Sequence, residues 1–204
     1  CVGDSITYGA KIQDKFLHSY PAQLQQLLGG KYLVKNFGAS GYTLQKNANF
    51  PYWEHPNFQE SSDFQPDIVL IMLGTNDTKE RFGCNAENIA KGLERLARKA
   101  QSVTDAWAGG RPNILLVAPA PIKDGYASTF VFNEMGKGCV EKSKELAFYY
   151  ERTARLTGCH FFDAGTVPGI CMHPNDYMHL TEESHDLLAK ALAEFVPSLT
   201  SDRS

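Results

Sequence analysis

The chain has 204 residues, of which 43% are hydrophobic and 21% charged, and its formal net charge is -3 at pH 7. The length predicts one globular domain over residues 1–204, and the composition is typical of a soluble protein. The slight negative charge argues against the basic surfaces that bind nucleic acid or anionic membranes. The longest clean apolar run, residues 68–73, is far shorter than the roughly 18 residues of a membrane span. We therefore expect a small molecule or a neutral polymer as the partner.

The start of the chain and its cysteines say little about the compartment. The chain begins at Cys1 without an initiator methionine or a leader pattern, so we expect any signal peptide to be absent or already removed. A secreted or periplasmic location is compatible with this start, and the location stays open. The five cysteines include no Cys-x-x-Cys pair, which indicates free thiols with at most one or two disulfides. We expect no cofactor and no metal, and the oligomeric state is not predicted.

Short apolar runs alternate with longer helical patterns along the chain. This alternation is typical of βαβ units and a parallel sheet, so the predicted fold class is α/β. Five strands are predicted, at residues 1–2, 33–37, 67–73, 113–118 and 159–163. The first strand would need residues upstream of Cys1, and we therefore expect it to be truncated.

Helical patterns fill most of the intervals between these strands. Residues 20–28 end on a Gly-Gly pair, which is typical of a helix C-terminus. Further helices are predicted to begin at Asn85, at about Asn133 with an end near Leu156, and at Thr181. The apolar stripes of the second and the last of these helices are Ile89, Leu93, Leu96, Ala97 and Ala100, and Leu187, Leu188, Ala191, Leu192 and Phe195.

Two stretches lack such patterns. Residues 42–66 are rich in Asn, Gln, Pro and aromatic residues and are too long for an ordinary connection, which predicts a functional loop or an insertion. The tail 200–204 is the one stretch that we expect to be disordered.

Polar or glycine-bearing turns follow four of the predicted strands. They are residues 3–7 (Gly-Asp-Ser-Ile-Thr), 37–41 (Phe-Gly-Ala-Ser-Gly), 74–77 (Gly-Thr-Asn-Asp) and 176–179 (Asp-Tyr-Met-His). Ligands of open parallel sheets bind outside the carboxyl ends of the strands, where such turns gather. We therefore expect these four turns to meet at one edge of the sheet.

These turns contain the residue types of a serine hydrolase. A serine hydroxyl such as that of Ser5 needs a histidine base, and the histidine needs a carboxylate that fixes its tautomer. Asp176 and His179 lie three positions apart ahead of a helix and can supply that pair. The oxyanion that forms in the reaction needs preorganised donors, for which the candidates are the backbone N–H groups of Ser5 and Gly38 and the side-chain amide of Asn76.

In their order along the chain, the Gly-Asp-Ser turn, Gly38, the Gly-Thr-Asn-Asp turn and the Asp-x-x-His turn resemble the four blocks of the GDSL/SGNH hydrolase superfamily. The resemblance covers almost the whole chain. It implies a three-layer α/β/α sandwich with a flavodoxin-like five-stranded parallel sheet and a metal-free esterase or acyl-hydrolase mechanism. It also implies Ser5, Asp176 and His179 as the triad and Ser5, Gly38 and Asn76 as oxyanion donors. Ile6-Thr7 replaces the Leu-Ser often found after the serine, which favours the carbohydrate-esterase side of the superfamily.

Each motif alone has an ordinary structural explanation as a helix cap or a turn, and only their joint occurrence indicates catalysis. His173, Asp176 and His179 recur at every third position and could be metal ligands. We favour the triad, because no second cluster supplies the missing ligands, and expect His173 to be a loop residue that packs near the Asp176–His179 pair or orders it. The other histidines, His18, His55, His160 and His185, lack a partner motif.

The predicted function is hydrolysis of short acyl esters, acetyl above all, on a carbohydrate, with a small molecule or an acylated carbohydrate as substrate. Tyr42 and Trp53 are candidate substrate contacts, since sugars stack on aromatic faces; pinning of the loop to the core explains them equally well. One alternative is a lipid or thioester acyl-hydrolase using the same residues. The other is a nonenzymatic flavodoxin-like binding module, against which the absence of any phosphate-binding loop motif argues.

Overall fold

The structure, a computed structural model, describes residues 1–46 and 48–199, so the predicted disorder of residues 200–204 lies outside the described residues. Its strands are β1 (Val2–Gly3), β2 (Phe37–Gly38), β3 (Val69–Met72), β4 (Trp107–Ala108), β5 (Arg111–Pro112), β6 (Ile114–Ala118) and β7 (His160–Asp163). Its α-helices are α1 (Ser5–Tyr8), α2 (Lys15–His18), α3 (Tyr20–Leu28), α4 (Pro56–Asp63), α5 (Ala86–Val103), α6 (Phe132–Met135), α7 (Cys139–Thr157) and α8 (Glu182–Phe195).

Five strands form one parallel sheet in the order β2-β1-β3-β6-β7. This is the flavodoxin-like order, and the connections reverse direction between β1 and β3. The predicted α/β fold with a five-stranded parallel sheet is confirmed. The short antiparallel pair of β4 and β5 was not predicted. The turns that follow β1 and β3 therefore lie side by side at the switch point, which is where ligands of such sheets bind.

Helices cover both faces of the sheet because strand side chains alternate between the faces. One face packs against α5 and α7, the other against α3 and α8. Along β3 the alternation is direct: Val69 and Ile71 belong to the first layer, and Leu70 and Met72 to the second. The chain therefore buries one core on each side of the sheet, and the α/β/α sandwich is confirmed.

The helix caps follow the predicted signals. The Asn85 side chain accepts a hydrogen bond from Asn88 N–H at the start of α5, and Thr181 accepts one from Ser184 N–H at the start of α8. The single helix expected from Asn133 to Leu156 is wrong. It is divided into α6 and α7, because Gly136 and Gly138 adopt positive φ angles of 69° and 78° that interrupt a helix.

Three further sequence predictions need correction. The segment 42–66 contains α4, which begins at Pro56 with His55 as its cap. The second strand is shifted to Phe37–Gly38, because Val34 N–H donates to the Gln25 side chain (2.6 Å) instead of a strand. In α8 the buried face includes Ser184, His185 and Leu188, whereas the predicted stripe members Leu187, Ala191 and Phe195 are partly buried.

β1 begins at Val2, one residue from the chain start, and the Cys1 amino group donates to Lys35 O at 2.7 Å. The expected upstream extension of this strand concerns residues beyond the sequence and stays a prediction. A cavity of about 510 Å³ lies beside it at the amino edge of the sheet, lined by residues such as Leu28, Phe37 and Ile68. The four predicted turns lie at the other, carboxyl edge, so this cavity is not the candidate site.

Candidate active site

Ser5 lies at the point where β1 turns into α1. The turn is fixed by Asp4, whose Oδ1 accepts a hydrogen bond from Ile6 N–H at 3.0 Å and so caps α1. Thr7 Oγ1 and Tyr20 Oη are hydrogen-bonded at 3.0 Å, which ties α1 to α3. Ser5 is 5% exposed. The nucleophile candidate is thus held on a short, fixed helix start rather than on a free loop.

The structure brings Ser5, His179 and Asp176 into one hydrogen-bonded chain. Ser5 Oγ and His179 Nε2 are 2.9 Å apart, and His179 Nδ1 and Asp176 Oδ2 are 2.8 Å apart. Ser5 and His179 are 174 positions apart in the sequence, so the fold alone creates this contact. The arrangement matches that of a nucleophile, a base and an orienting carboxylate.

The loop before α8 holds this pair through its own backbone. His173 N–H donates to His179 O at 2.6 Å, and the N–H groups of Asp176 and Tyr177 donate to His173 O. An isolated bridge between Met172 and Leu180 closes the loop. The backbone of His173 thus orders the loop that carries Asp176 and His179.

Asp176 is fully buried, yet its environment favours the carboxylate. Burial by itself would raise the pKa, but the hydrogen bonds from the His179 ring and from the backbone N–H groups of His179 and Met178 lower the pKa of Asp176 to about 2. Asp176 is therefore a carboxylate at neutral pH. An ionised partner at Nδ1 keeps Nε2 of the neutral ring available to accept a proton from Ser5.

Asn76 lies in the 3-10 turn that follows β3, one strand away from Ser5. Its Nδ2 donates one hydrogen bond to Tyr42 O at 3.1 Å, and the second N–H of this amide has no acceptor among the described residues. The preceding turn needs glycine at position 74, where φ is +124° and a Cβ would lie 2.1 Å from Tyr150 Oη. The Tyr42 carbonyl and the Gly74 turn thus hold Asn76 in place, and one N–H of its side-chain amide remains available as a donor.

The Gly38 N–H is occupied in this structure. It donates to Asn36 Oδ1 at 2.8 Å, while Asn36 Nδ2 donates to Thr7 O. A Cβ at Gly38 would lie 2.2 Å from Tyr8 N, so glycine is needed here for the packing of β2 against α1. The geometry does not support Gly38 as a free oxyanion donor, because the Asn36 side chain already accepts its hydrogen.

Gly41 is a donor that the sequence reasoning missed. It ends the same turn with φ of +84°, its N–H donates to no acceptor among the described residues, and the space where a Cβ would be is open. The next residue, Tyr42, carries the carbonyl that accepts from Asn76. The glycine in an Ala-Ser-Gly turn after a strand was the available signal.

The two candidate substrate residues, Tyr42 and Trp53, have different contacts. Tyr42 packs against His55, with ring centroids 4.4 Å apart, and against Phe50, while its backbone contacts Asn76. Trp53 packs on the α5 side, where the Lys46 Nζ lies 4.4 Å from its ring centroid. Tyr42 therefore adjoins the site, whereas the contacts of Trp53 are those of a residue that holds the loop to the core.

Sequence comparison gives the family. The sequence model of the GDSL-like lipase/acylhydrolase family matches residues 1–187. The chain belongs to this family.

Proteins that are similar to this chain include several esterases. An acetylxylan esterase of Xylanibacter ruminicola is 38% identical over 133 residues, which are 59% of this chain and 28% of that protein, so the chain spans only a minor part of that relative. The aryl esterase of M. smegmatis has a similar structure, with a TM-score of 0.81, 29% identity, and coverage of 98% of this chain and 97% of that one. A carbohydrate acetylesterase from Sinorhizobium meliloti has a TM-score of 0.78 with the same identity and coverage.

Asp77 is a further buried acid near Asn76. Both carboxylate oxygens of Asp77 accept Leu44 N–H at 3.0 Å, and Oδ1 also accepts Gln45 N–H at 3.0 Å. Burial raises the pKa of Asp77 to about 7, against the opposing effect of these hydrogen bonds. Asp77 thereby fixes the segment whose Tyr42 carbonyl meets Asn76. Sequence reasoning treated Asp77 only as part of a turn and missed this contact.

Within residues 1–46 and 48–199, no group of three or more His, Cys, Asp and Glu side chains is arranged to hold a metal ion. His173 Nδ1 instead accepts Asn175 N–H at 3.3 Å, and Asp176 faces His179. All five cysteines are free thiols. Over the same residues, no helix combines the length and the apolar character that a membrane crossing requires.

Proposed function

We propose that the chain is a serine esterase that hydrolyses short acyl esters, acetyl above all, carried by a carbohydrate. The observation that carries the proposal is the hydrogen-bonded chain from Ser5 Oγ through His179 to the buried Asp176 carboxylate. A nonenzymatic binding module has no need of such a chain. The carbohydrate and the acetyl group are supported by the names of two relatives and by Ile6-Thr7 after the serine.

The geometry predicts an acyl-enzyme path. His179 Nε2 accepts the Ser5 Oγ proton as Oγ attacks the ester carbonyl carbon, and the carbonyl oxygen becomes an oxyanion. His179 then gives its proton to the leaving alcohol as the bond from the acyl carbon to the alcohol oxygen breaks. In the second half, His179 takes a proton from water, the water oxygen attacks the acyl carbon, and Ser5 leaves with the proton returned.

The oxyanion needs donors that are in place before the reaction. We assign this role to the backbone N–H of Ser5, the free N–H of the Asn76 amide and the N–H of Gly41. Gly41 replaces Gly38 in this role, because the Gly38 N–H already donates to Asn36. The Asn76 contact with Tyr42 O holds the turn that carries Gly41 close to Asn76.

Turnover of p-nitrophenyl acetate tests this function. We expect the wild type to release p-nitrophenol and the variants Ser5→Ala and His179→Ala to lose nearly all activity. His18→Ala is the matched control, since His18 is a half-exposed histidine paired with Glu182 at 3.6 Å outside the triad. Activity retained by either triad variant would overturn the assignment.

The second candidate is an acyl-hydrolase that acts on longer, apolar acyl chains with the same residues. The apolar cavity of about 510 Å³ does not serve it, because its lining residues include none of the triad. A series of p-nitrophenyl esters separates the two functions. Highest kcat/KM for acetate or propionate supports the proposal, and a preference for chains beyond about C6 supports the alternative.

A further inference from the structure

Two segments that adjoin the candidate active site expose aromatic rings. Tyr8 ends α1, the helix that starts at Ser5, and Phe16 lies in α2. Phe130 lies just before α6. Phe16 is 82% exposed and Phe130 66% exposed, so most of each ring faces solvent. Exposed apolar side chains are typical of binding surfaces where they form a contiguous patch.

Lysines accompany each of these rings. The Lys15 Nζ lies 3.2 Å from the ring centroid of Tyr8 and 5.2 Å from that of Phe16, and the Lys11 Nζ lies 5.6 Å from that of Phe130. Neither lysine forms an ion pair with any carboxylate in the described part of the chain. These five residues, Tyr8, Lys11, Lys15, Phe16 and Phe130, are called the aromatic–lysine surface below.

The aromatic–lysine surface connects to both partners of the Ser5–His179 contact. Tyr8 N–H donates to Asp4 O at 2.9 Å, within the helix turn that carries Ser5. Val131, the residue after Phe130, packs in the same buried cluster as Met178, the residue before His179. The contact between Lys11 and Phe130 joins the segment that follows α1 to the segment that precedes α6. The surface therefore lies on segments that are connected in the fold to Ser5 and to His179.

We infer that the aromatic–lysine surface binds the sugar chain of the substrate and that this chain carries carboxylate groups, as uronic acids do. The inference rests on the proposed function and names its substrate class. Exposed aromatic rings offer apolar faces to the C–H faces of sugar rings, and unpaired ammonium groups attract carboxylates. A symmetric dimer through this surface is disfavoured, because it would bring the lysines of both copies together.

Acetylated oligogalacturonides provide the probe, used as free carboxylates and as their methyl esters, with acetate release as the readout. The quantity measured is kcat/KM on each oligosaccharide divided by kcat/KM on p-nitrophenyl acetate. We expect the wild type to prefer the free carboxylates, and the preference to shrink in about 0.5 M NaCl, where screening weakens surface charge contacts. Equal ratios for both forms would overturn the assignment of an acidic sugar chain.

Variants locate the effect on the surface. We expect Phe130→Ala to lower the ratio on both oligosaccharides about fivefold, and the double variant Lys11→Gln with Lys15→Gln to abolish the preference for free carboxylates. The matched controls are Phe148→Ala, an equally exposed phenylalanine of α7, and Lys144→Gln in the same helix. If the surface variants behave as these controls do, the surface does not bind the substrate. That outcome leaves the proposed function intact, whereas a wild type inactive on p-nitrophenyl acetate overturns the proposed function itself.

Discussion

Replacing Asp176 by asparagine tests the triad, because the two oxygens of this carboxylate have different hydrogen-bond partners. Asp176 Oδ1 accepts the backbone N–H groups of Met178 and His179, both at 3.0 Å, while Oδ2 faces His179 Nδ1 at 2.8 Å. In Asp176→Asn the single amide oxygen is held at the Oδ1 position by the two N–H groups. The amide NH2 then occupies the Oδ2 position and donates to Nδ1, so the ring carries its proton on Nε2.

A proton on Nε2 points at Ser5 Oγ, so His179 can no longer accept the serine proton. Replacement of a triad aspartate that leaves the wrong tautomer lowers kcat on the order of 10⁴-fold, which corresponds to about 5.5 kcal/mol in the activation free energy. We expect KM for p-nitrophenyl acetate to change little, because the substrate does not contact Asp176 directly.

Steady-state kinetics on p-nitrophenyl acetate measures this loss, with circular dichroism as the check that the variant is folded. Asp186→Asn is the matched control, since Asp186 is an aspartate of α8 that pairs with Lys190 at 2.6 Å outside the triad. Asp176 also contributes to stability. Because its pKa is lowered from 3.8 to about 2, the ionised carboxylate stabilises the folded state by about 2 kcal/mol above pH 4, and this stabilisation is lost as the pH falls toward 2. A kcat within about tenfold of the wild type would refute the tautomer argument.

Three further changes test the surroundings of the triad. Asn76→Ala should lower kcat by about 10²–10³ through loss of one oxyanion donor; a less than threefold change in steady-state kinetics would speak against that role. Gly38→Ala should lower the free energy of unfolding by about 1–3 kcal/mol in urea titrations, since its Cβ would overlap the Tyr8 backbone; an unchanged midpoint would contradict the packing role. Burial raises the pKa of Asp4 to about 6, so ionisation of Asp4 destabilises the wild type as the pH rises from about 4 through 6. The Tm of Asp4→Asn relative to the wild type should therefore rise over this range, and a constant difference would show that Asp4 does not titrate there.

The sheet and the starts of α3, α5 and α8 could be predicted because their signals are local. β3 and β6 are fully apolar runs bounded by turns, and Asn85 and Thr181 cap their helices. The order of the turns along the chain also sufficed to group Ser5, Asp176 and His179, because carboxyl ends of parallel strands share one edge.

The sequence predictions are wrong where a contact between residues far apart in the sequence determines the local structure. His185 is buried although it is polar, because its Nδ1 accepts Tyr20 N–H at 3.0 Å, and this rotates the buried face of α8. α4 was missed because its buried residues, Phe58, Ser61 and Ser62, do not form an apolar stripe. The choice between Gly38 and Gly41 depends on where the Asn36 side chain points.

In the proposed mechanism, His179 and Asp176 make the Ser5 hydroxyl a nucleophile. A fluorophosphonate probe measures this directly, because it reacts covalently with activated serines and its position is found by peptide mass spectrometry. We predict one modification per chain, on the peptide that contains Ser5, with loss of labelling in Ser5→Ala and strongly slowed labelling in His179→Ala. Labelling at another serine, or no labelling of the folded wild type, would contradict the account.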